Sequence, residues 1–227
     1  LKGLMDRKYK LNEYPNHVAF IMDGNRRWAK KHNFPIIEGH KKGSEVIKKI
    51  IKSSINLNIK YLTFFSFSTE NWKRNPNEIN ELKGLLNKYL DSEVDNFISN
   101  QIKFNVIGNL SKFENNIKEK IIKLEEKTKG FKKLVFTLAL SYGSRNEIVE
   151  AVEKIKIQNK KKINEKLFNN HLMTKDLPDP DFVIRTSGEM RLSNFLLWQI
   201  AYSELYFTKT LWPDFNSYKY KLALNNF

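Results

Sequence analysis

The residues able to do chemistry in this 227-residue chain gather where apolar runs end. In HVAFIMDGNRRWAK the run Val18–Met22 stops at Asp23 and Gly24, and Asn25, Arg26 and Arg27 follow at once. Gly24 permits a sharp turn and a close backbone approach to a ligand. The amides behind it open a helix, whose N-terminus attracts phosphate, and Arg27 adds a guanidinium fork for phosphate oxygens. Asp23 would repel that phosphate unless a cation stood between them. Magnesium suits the position, because it takes oxygen ligands from one or two carboxylates plus substrate phosphates. The same residues also read as an N-capping aspartate beside surface arginines.

Two further clusters repeat the pattern. TFFSFSTENWKRNP places Ser66, Ser68, Thr69, Glu70, Asn71, Trp72 and Arg74 after a β-rich run; a capped helix start is its other reading. DFVIRTSGEMRLSNFLLWQ is the densest, with Arg185, Thr186, Ser187, Gly188, Glu189, Arg191, Ser193 and Asn194. Two arginines and several hydroxyls around a glycine form a second oxyanion cradle. The chain thus offers two anion sites and a carboxylate that calls for a metal. No GxxxxGK[ST] loop, no GxGxxG after the first run and no nucleophile elbow is present. The four histidines, His17, His32, His40 and His171, lack metal-ligand spacing, so zinc is not expected.

The elements that position these clusters alternate in period. Strands are expected at His17–Met22, Tyr61–Phe67, Ile102–Ile107, Leu134–Leu140, Phe182–Arg185 and Leu205–Phe207. Helices are expected at Ser44–Ile55, capped by Ser44, and at Glu78–Ile98, the longest. Others follow at Ser111–Lys129, stopped by a left-handed Gly130, at Ser144–Lys156 with a Ser144/Glu147 capping box, and at Asn194–Ala201. That order predicts one α/β domain over residues 1–227, with a largely parallel six-stranded sheet covered by helices. Residues 1–16 read as an N-terminal extension, and 157–166 as a Lys-rich surface insertion. In open α/β sheets ligands sit beyond the carboxyl ends of the strands, where all three clusters fall.

Composition narrows the class. The net charge of +15 admits nucleic acid, an anionic membrane or a polyanionic small substrate as partner, although much of the lysine is solvated surface. No nucleic-acid-binding motif is present, and none is expected as partner. The absence of cysteine excludes disulfides and Cys-ligated metals, and it fits a reducing compartment. Apolar runs fall short of the roughly 20 residues that span a bilayer, and the polar start LKGLMDRKYK shows no cleavable signal.

HVAFIMDGNRRWAK, GHKKG, FSTENWKR, SYGSRNEI and DFVIRTSGEMRLSNFLLWQIAYSELYFTKTLWPDF together resemble the cis-prenyltransferases, the undecaprenyl and dehydrodolichyl diphosphate synthases. The resemblance runs from about His17 to the C-terminus. It implies repeated condensation of isopentenyl diphosphate onto an allylic diphosphate, usually farnesyl diphosphate, with a new cis double bond each cycle and release of diphosphate. It implies magnesium, and it assigns Asp23 to the metal and to departure of the diphosphate. Gly24, Asn25, Arg26, Arg27, His40 and Arg74 would bind the allylic diphosphate, and Arg185, Arg191 and Ser193 isopentenyl diphosphate. Glu204 in SELYF would be a second metal-linked acid. Asn71 would position the reactants for condensation and proton loss, with Ser68, Glu70 and Trp72 in support. The growing chain needs an apolar tunnel, for which Leu85, Leu86, Leu90, Ile107 and Leu138 are candidate walls.

Two features depart from the family pattern. Ile36 stands where an arginine usually precedes the GH histidine by four residues. The chain ends at ALNNF, where self-sufficient members continue into an Arg-x-Gly tail, so either the tail is trimmed or a second subunit supplies it. A homodimer is therefore expected, with a heteromer that needs a partner for activity as the alternative. The doubled arginine resembles eukaryotic and archaeal members and inclines the product toward the dolichol type. Peripheral membrane contact is expected, in the cytoplasm or at the cytosolic face of a membrane (the endoplasmic reticulum in a eukaryote).

Overall fold

The computed structural model describes residues 14–158 and 162–227. In chain order the elements are β1 His17–Ile21, α1 Asn25–Lys31, α2 Ile36–Asn56, β2 Tyr61–Ser68 and a 3-10 turn Thr69–Lys73. Next come α3 Pro76–Ser92, α4 Val94–Ser99, β3 Ile102–Ile107, α5 Asn115–Thr128, β4 Leu134–Tyr142, α6 Ser144–Ile157 and α7 Glu165–Asn169. The chain closes with β5 Phe182–Arg185, β6 Glu204–Phe207, a 3-10 turn Trp212–Asp214 and α8 Ser217–Leu224. The six strands form one sheet in the order β3-β4-β2-β1-β5-β6, and every pair is parallel.

Residues of β1 are all buried, as a strand between two covered faces requires. Val18 and Phe20 point into a large core with Ile50, Leu62, Phe64 and Phe136, covered by α2, α3, α4, α5 and α8. Ala19 and Ile21 face the other way, toward Val183, Phe195, Leu196 and Ile200. The chain leaves β1 for β2 on one side and returns to β5 on the other. The crevice at the carboxyl ends of β1 and β5 is therefore the switch point where α/β sheets bind ligands.

Several expected boundaries move, each for a visible reason. The helix expected from Ser44 begins at Ile36, and Ser44 lies inside it, its hydroxyl donating to the Lys41 carbonyl. Gly39 inside this helix permits close approach: a Cβ would stand 2.2 Å from the Asn25 carbonyl oxygen. The long helix breaks at Glu93 into α3 and α4. Helix α5 starts at Asn115, not Ser111, and Gly130 is not among the glycines with positive φ. The Ser144/Glu147 capping box does not form, because both side chains serve distant partners: Ser144 Oγ accepts from Leu197 N at 3.0 Å, and Glu147 accepts from Tyr142, Met173 and Gln199. No helix forms over 194–201, where Asn194 and Leu196 hold positive φ and the segment runs through turns. Of the expected insertion 157–166, residues 159–161 lie outside the described ones, and Asn164 caps α7. Residues 1–13 of the expected extension also lie outside them.

Candidate active site

Gly24 caps α1 with a left-handed φ of 113°, and a Cβ there would meet Leu211 at 3.0 Å. Only glycine turns the chain this tightly from β1 into α1. Met22, Asp23, Gly24, Asn25, Arg26, Arg27, Lys30, His40 and Arg74 then line one pocket of about 320 Å³. Seven of those were assigned to the site from sequence, Lys30 was a candidate to compensate for the arginine replaced by Ile36, and Met22 was not expected. Glu78 was also missed. It meets Arg74 at 3.0 Å and Arg26 at 3.9 Å, and so restrains two of the pocket's guanidiniums. The contact with Arg74 is a local i,i+4 pair at the start of α3, whereas the approach of Arg26 from α1 leaves no local signal.

His40 faces this pocket neutral. Burial, then the charges of Arg74 and Arg26, lower its pKa to about 4. Among the described residues, five buried side-chain polar atoms have no partner, and three are in the expected site: Asn25 Oδ1, His40 Nε2 and Arg185 Nε. Buried polar atoms are nearly always paired, so their gathering marks a place shaped to meet a polar ligand.

Beside the pocket, at the end of β5, lies a second basic cluster. Arg185 is 3% exposed. Its guanidinium donates to Asp23 Oδ2 at 3.0 Å, to Ser193 Oγ at 2.8 Å and to the Arg191 carbonyl. Arg27 joins the two clusters: it donates to the Ser187 carbonyl at 3.0 Å and hydroxyl at 2.5 Å, and stands 3.5 Å from Asp23 and 3.3 Å from Glu189. Glu189 also pairs with Arg191. Ser187 and Gly188 are fixed by hydrogen bonds that their backbone amides donate to the carbonyls of Thr210 and Thr208. Burial opposes ionisation of Asp23, but hydrogen bonding and charge from Arg185, then the charge of Arg27, outweigh it and hold the carboxyl below its usual range.

The turn after β2 contributes differently from the expectation. Asn71 Oδ1 accepts from the Ser68 amide at 3.0 Å, and Trp72 Nε1 donates to Ser141 Oγ at 2.8 Å while its ring packs on Phe67 and Phe113. Ser68, Asn71 and Trp72 do not line the 320 Å³ pocket. Glu70 reaches Asn194 at 3.3 Å, which ties this turn to the segment carrying Ser193. Desolvation raises the Glu70 carboxyl, and hydrogen bonds from its own amide, Ser68, Asn194 and Thr69 outweigh that and lower it.

Glu204 requires a correction. It opens β6 and pairs with Phe182, whereas Asp23 lies two residues beyond the level at which Ile21, Arg185 and Phe207 align. At about 3.3 Å per residue the two carboxylates are roughly 16 Å apart along the strand direction alone. A single ion cannot bridge them within one chain. The motif carries the residue type but not the end of the strand on which it stands.

Adjoining the polar pocket through Met22, Asn25 and His40 is an apolar cavity of about 90 Å³, walled by Ile47, Leu82, Leu85, Leu86, Tyr89, Leu138 and Leu140 among others. Leu85, Leu86 and Leu138 take the wall positions expected of them. Leu90 packs instead in the main core, and Ile107 on the opposite face of the sheet.

A fully parallel sheet with arginine-rich anion pockets at its carboxyl edge and an apolar cavity behind them defines an enzyme for amphiphilic, phosphorylated substrates. The chain belongs to the cis-prenyltransferase (undecaprenyl diphosphate synthase) family: the family model described as "Putative undecaprenyl diphosphate synthase" matches residues 21–227. An isoprenyl transferase of Thermotoga maritima is 48% identical over 217 residues, covering 94% of this chain and 93% of that one. One from Clostridium perfringens is 46% identical over 222 residues, covering 94% and 87%. Among solved structures, lavandulyl diphosphate synthase from Lavandula x intermedia, in complex with dimethylallyl diphosphate, superposes with a TM-score of 0.90 at 38% identity over 94% of each chain. A probable undecaprenyl diphosphate synthase from Campylobacter jejuni gives 0.80 at 38% identity over 95% of each. The protein is thus an isoprenyl transferase that carries out cis-prenyl chain elongation.

Proposed function

We propose that the chain extends farnesyl diphosphate with isopentenyl diphosphate to a long undecaprenyl-type diphosphate. The single observation that carries this reading is the adjacency of a guanidinium-lined pocket to an apolar cavity, with Asn25 and His40 shared between them. Arg26, Arg27 and Arg74 hold the allylic diphosphate there, and the isoprenoid tail runs between α2 and α3. Arg185, Arg191 and Ser193 hold isopentenyl diphosphate beside it. As the allylic C–O bond breaks, fixed guanidiniums stabilise the charge gathering on the departing diphosphate. The alkene of isopentenyl diphosphate attacks the allylic carbon, and proton loss completes the new double bond. Ser68, Asn71 and Trp72 act from the neighbouring turn as positioning residues. The bacterial relatives at 46–48% identity favour the undecaprenyl-type over the dolichol-type product.

Asp23 fits magnesium. It is an ionised, partly exposed oxygen donor between two anion clusters, and this ion needs only one or two carboxylates when substrate phosphates complete its shell. When bound, the ion would neutralise charge on the diphosphates. Glu204 stays outside this set within one chain. A homodimer is supported by the edge strand β6, where Leu205 is 45% exposed near the exposed Tyr202. Among the described residues no helix is long and apolar enough to cross a membrane, and a cytoplasmic enzyme meeting membranes peripherally is the reading adopted.

The test incubates purified chain with farnesyl diphosphate, radiolabelled isopentenyl diphosphate and magnesium, in parallel with Asp23→Ala. Long apolar product from the wild type, lost in the variant, supports the proposal. No product from folded wild type turns the reading to a heteromeric subunit, which candidate partner chains would then activate.

A further inference from the structure

The turn between α1 and α2 carries three neighbouring aromatic rings, of which His32 and Phe34 are exposed and Trp28 is half-buried. Trp28 and His32 lie 4.3 Å apart, Trp28 and Phe34 6.0 Å, and the His32 and Phe34 rings are within 9° of parallel. Backbone bonds fix the turn: Phe34 N donates to the Ala29 carbonyl at 2.9 Å and Asn33 N to that of Lys30 at 3.2 Å. Trp28 Nε1 donates to Asp214 Oδ1 at 2.8 Å, which anchors the stack to the body of the protein. The Phe34 ring is held outward, 52% exposed.

Cations flank the rings. Lys30 and Lys31 are exposed and have no ion pair among the described residues, whereas Lys41 and Lys42 on α2 are paired with Glu38 and Glu45. A lone exposed phenylalanine would need no explanation. A fixed three-ring stack beside unpaired lysines has the composition of a membrane-interface anchor, in which amphipathic rings enter the headgroup layer and lysines meet lipid phosphates.

We propose that the α1–α2 turn is a docking surface for an anionic phospholipid bilayer, with Phe34 entering the interface in front of Trp28 and Lys31 supplying the charge, next to Lys30 at the rim of the diphosphate pocket. The inference rests on the proposed function, in which the product carries a long apolar chain. Helix α1 begins at the diphosphate pocket and ends at this turn, so docking holds the pocket about 10 Å from the headgroups. A lipid product then leaves next to the phase that takes it up.

The test is co-sedimentation of the full chain with vesicles of phosphatidylcholine alone and of phosphatidylcholine mixed with an equal part of phosphatidylglycerol. Wild type binds the anionic vesicles and not the neutral ones, and less at high salt. Phe34→Ala and Lys31→Ala each weaken partitioning by roughly fivefold, and the double variant by more. Lys123→Ala, which removes the same charge from α5 against β3 at the far edge of the sheet, leaves binding unchanged. Equal binding by wild type and double variant overturns the proposal, as does an equal loss in Lys123→Ala, which would mean diffuse charge alone. Turnover of farnesyl diphosphate in detergent is measured on the same proteins. It stays at the wild-type level in Phe34→Ala and Lys31→Ala, whereas no turnover in any protein, with vesicle binding intact, overturns the self-sufficient synthase reading in favour of a heteromeric subunit and leaves the docking surface standing.

Discussion

Asp23 is held by the two guanidiniums with which it shares the site, and this sets what its loss would do. Removing the carboxylate leaves Arg185, 3% exposed, without its charged partner, and removes the oxygen donor proposed for magnesium. Asp23→Asn keeps the shape and loses the charge, so kcat should fall on the order of 100-fold or more, and the thermal unfolding midpoint should fall too, because the buried Arg185 keeps only neutral partners; activity within a few-fold of wild type would remove Asp23 from the chemistry. Arg185 tests the neighbouring site. Its planar fork serves Asp23, Ser193 and the Arg191 carbonyl at once, a geometry that an ammonium does not reproduce. Arg185→Lys should therefore raise KM for isopentenyl diphosphate on the order of 100-fold and change KM for the allylic substrate far less. Equal effects on the two substrates would contradict the assignment. These residues were legible in the sequence because each cluster is local: a strand ends, and the next few residues carry the chemistry. The approach of Glu78 to Arg26 and of Leu211 to Gly24 was not, because each joins residues far apart in the chain.

Elements place the clusters, and here close packing overruled local propensity. The helix expected from Ser44 extends back through Gly39 to Ile36, and only a residue without a Cβ at Gly39 lets α2 approach the Asn25 carbonyl. The 194–201 segment has an apolar pattern that a helix would use. It is instead held by distant partners, with Asn194 Oδ1 accepting from the Arg145 amide at 2.9 Å and Gln199 donating to Glu147 and Thr174 at 3.0 and 2.8 Å. Buried hydrogen bonds of this kind are invisible to a period count, whereas β1, β4 and β5 were legible because burial on both faces writes an apolar run directly into the chain. The pairing of α2 with α3 has a measurable consequence. Leu82, Leu85, Leu86 and Tyr89 recur at helical spacing along one wall of the apolar cavity. Leu86 is only partly buried, so a larger side chain there fills the cavity with limited strain. Leu86→Trp should shift the products to shorter chains at nearly unchanged kcat for the first condensation, as thin-layer chromatography of the dephosphorylated products would read. An unchanged product distribution would place the growing chain elsewhere.

At the scale of the whole molecule the parallel sheet separates two ends with different tasks. The carboxyl edge carries the charged pockets, and the amino edge is locked by His17. Its Nδ1 lies 2.8 Å from the Pro178 carbonyl and its Nε2 2.8 Å from Thr63 Oγ1, which ties β1 to β2 and to the segment before β5. Burial lowers its pKa to about 4, against the lesser raising effects of the Pro178 carbonyl and of Asp181. The unfolded chain, with an ordinary histidine near 6.5, binds the proton first, so between about pH 6.5 and 4 stability falls as the solution is acidified. A separation of that size corresponds to about 3 kcal/mol for one histidine, a large share of the roughly 5–15 kcal/mol by which domains are stable. Asp23 acts in a lower window: its depressed carboxyl stabilises the fold above the ordinary aspartate value and loses that contribution only as pH falls through the folded one. Urea unfolding at pH 7 and pH 4.5 therefore isolates mainly the histidines. His40 shares the window and the sign, so the wild type should lose stability steeply over it. In His17→Gln the steepness should drop by about half while the His40 part persists, because an amide keeps a polar partner for Thr63 and has no proton to take up. A His17→Gln protein with the full wild-type slope would mean that His17 opens to solvent before it titrates, and the amino edge of the sheet would then be the part of the fold that yields first to acid.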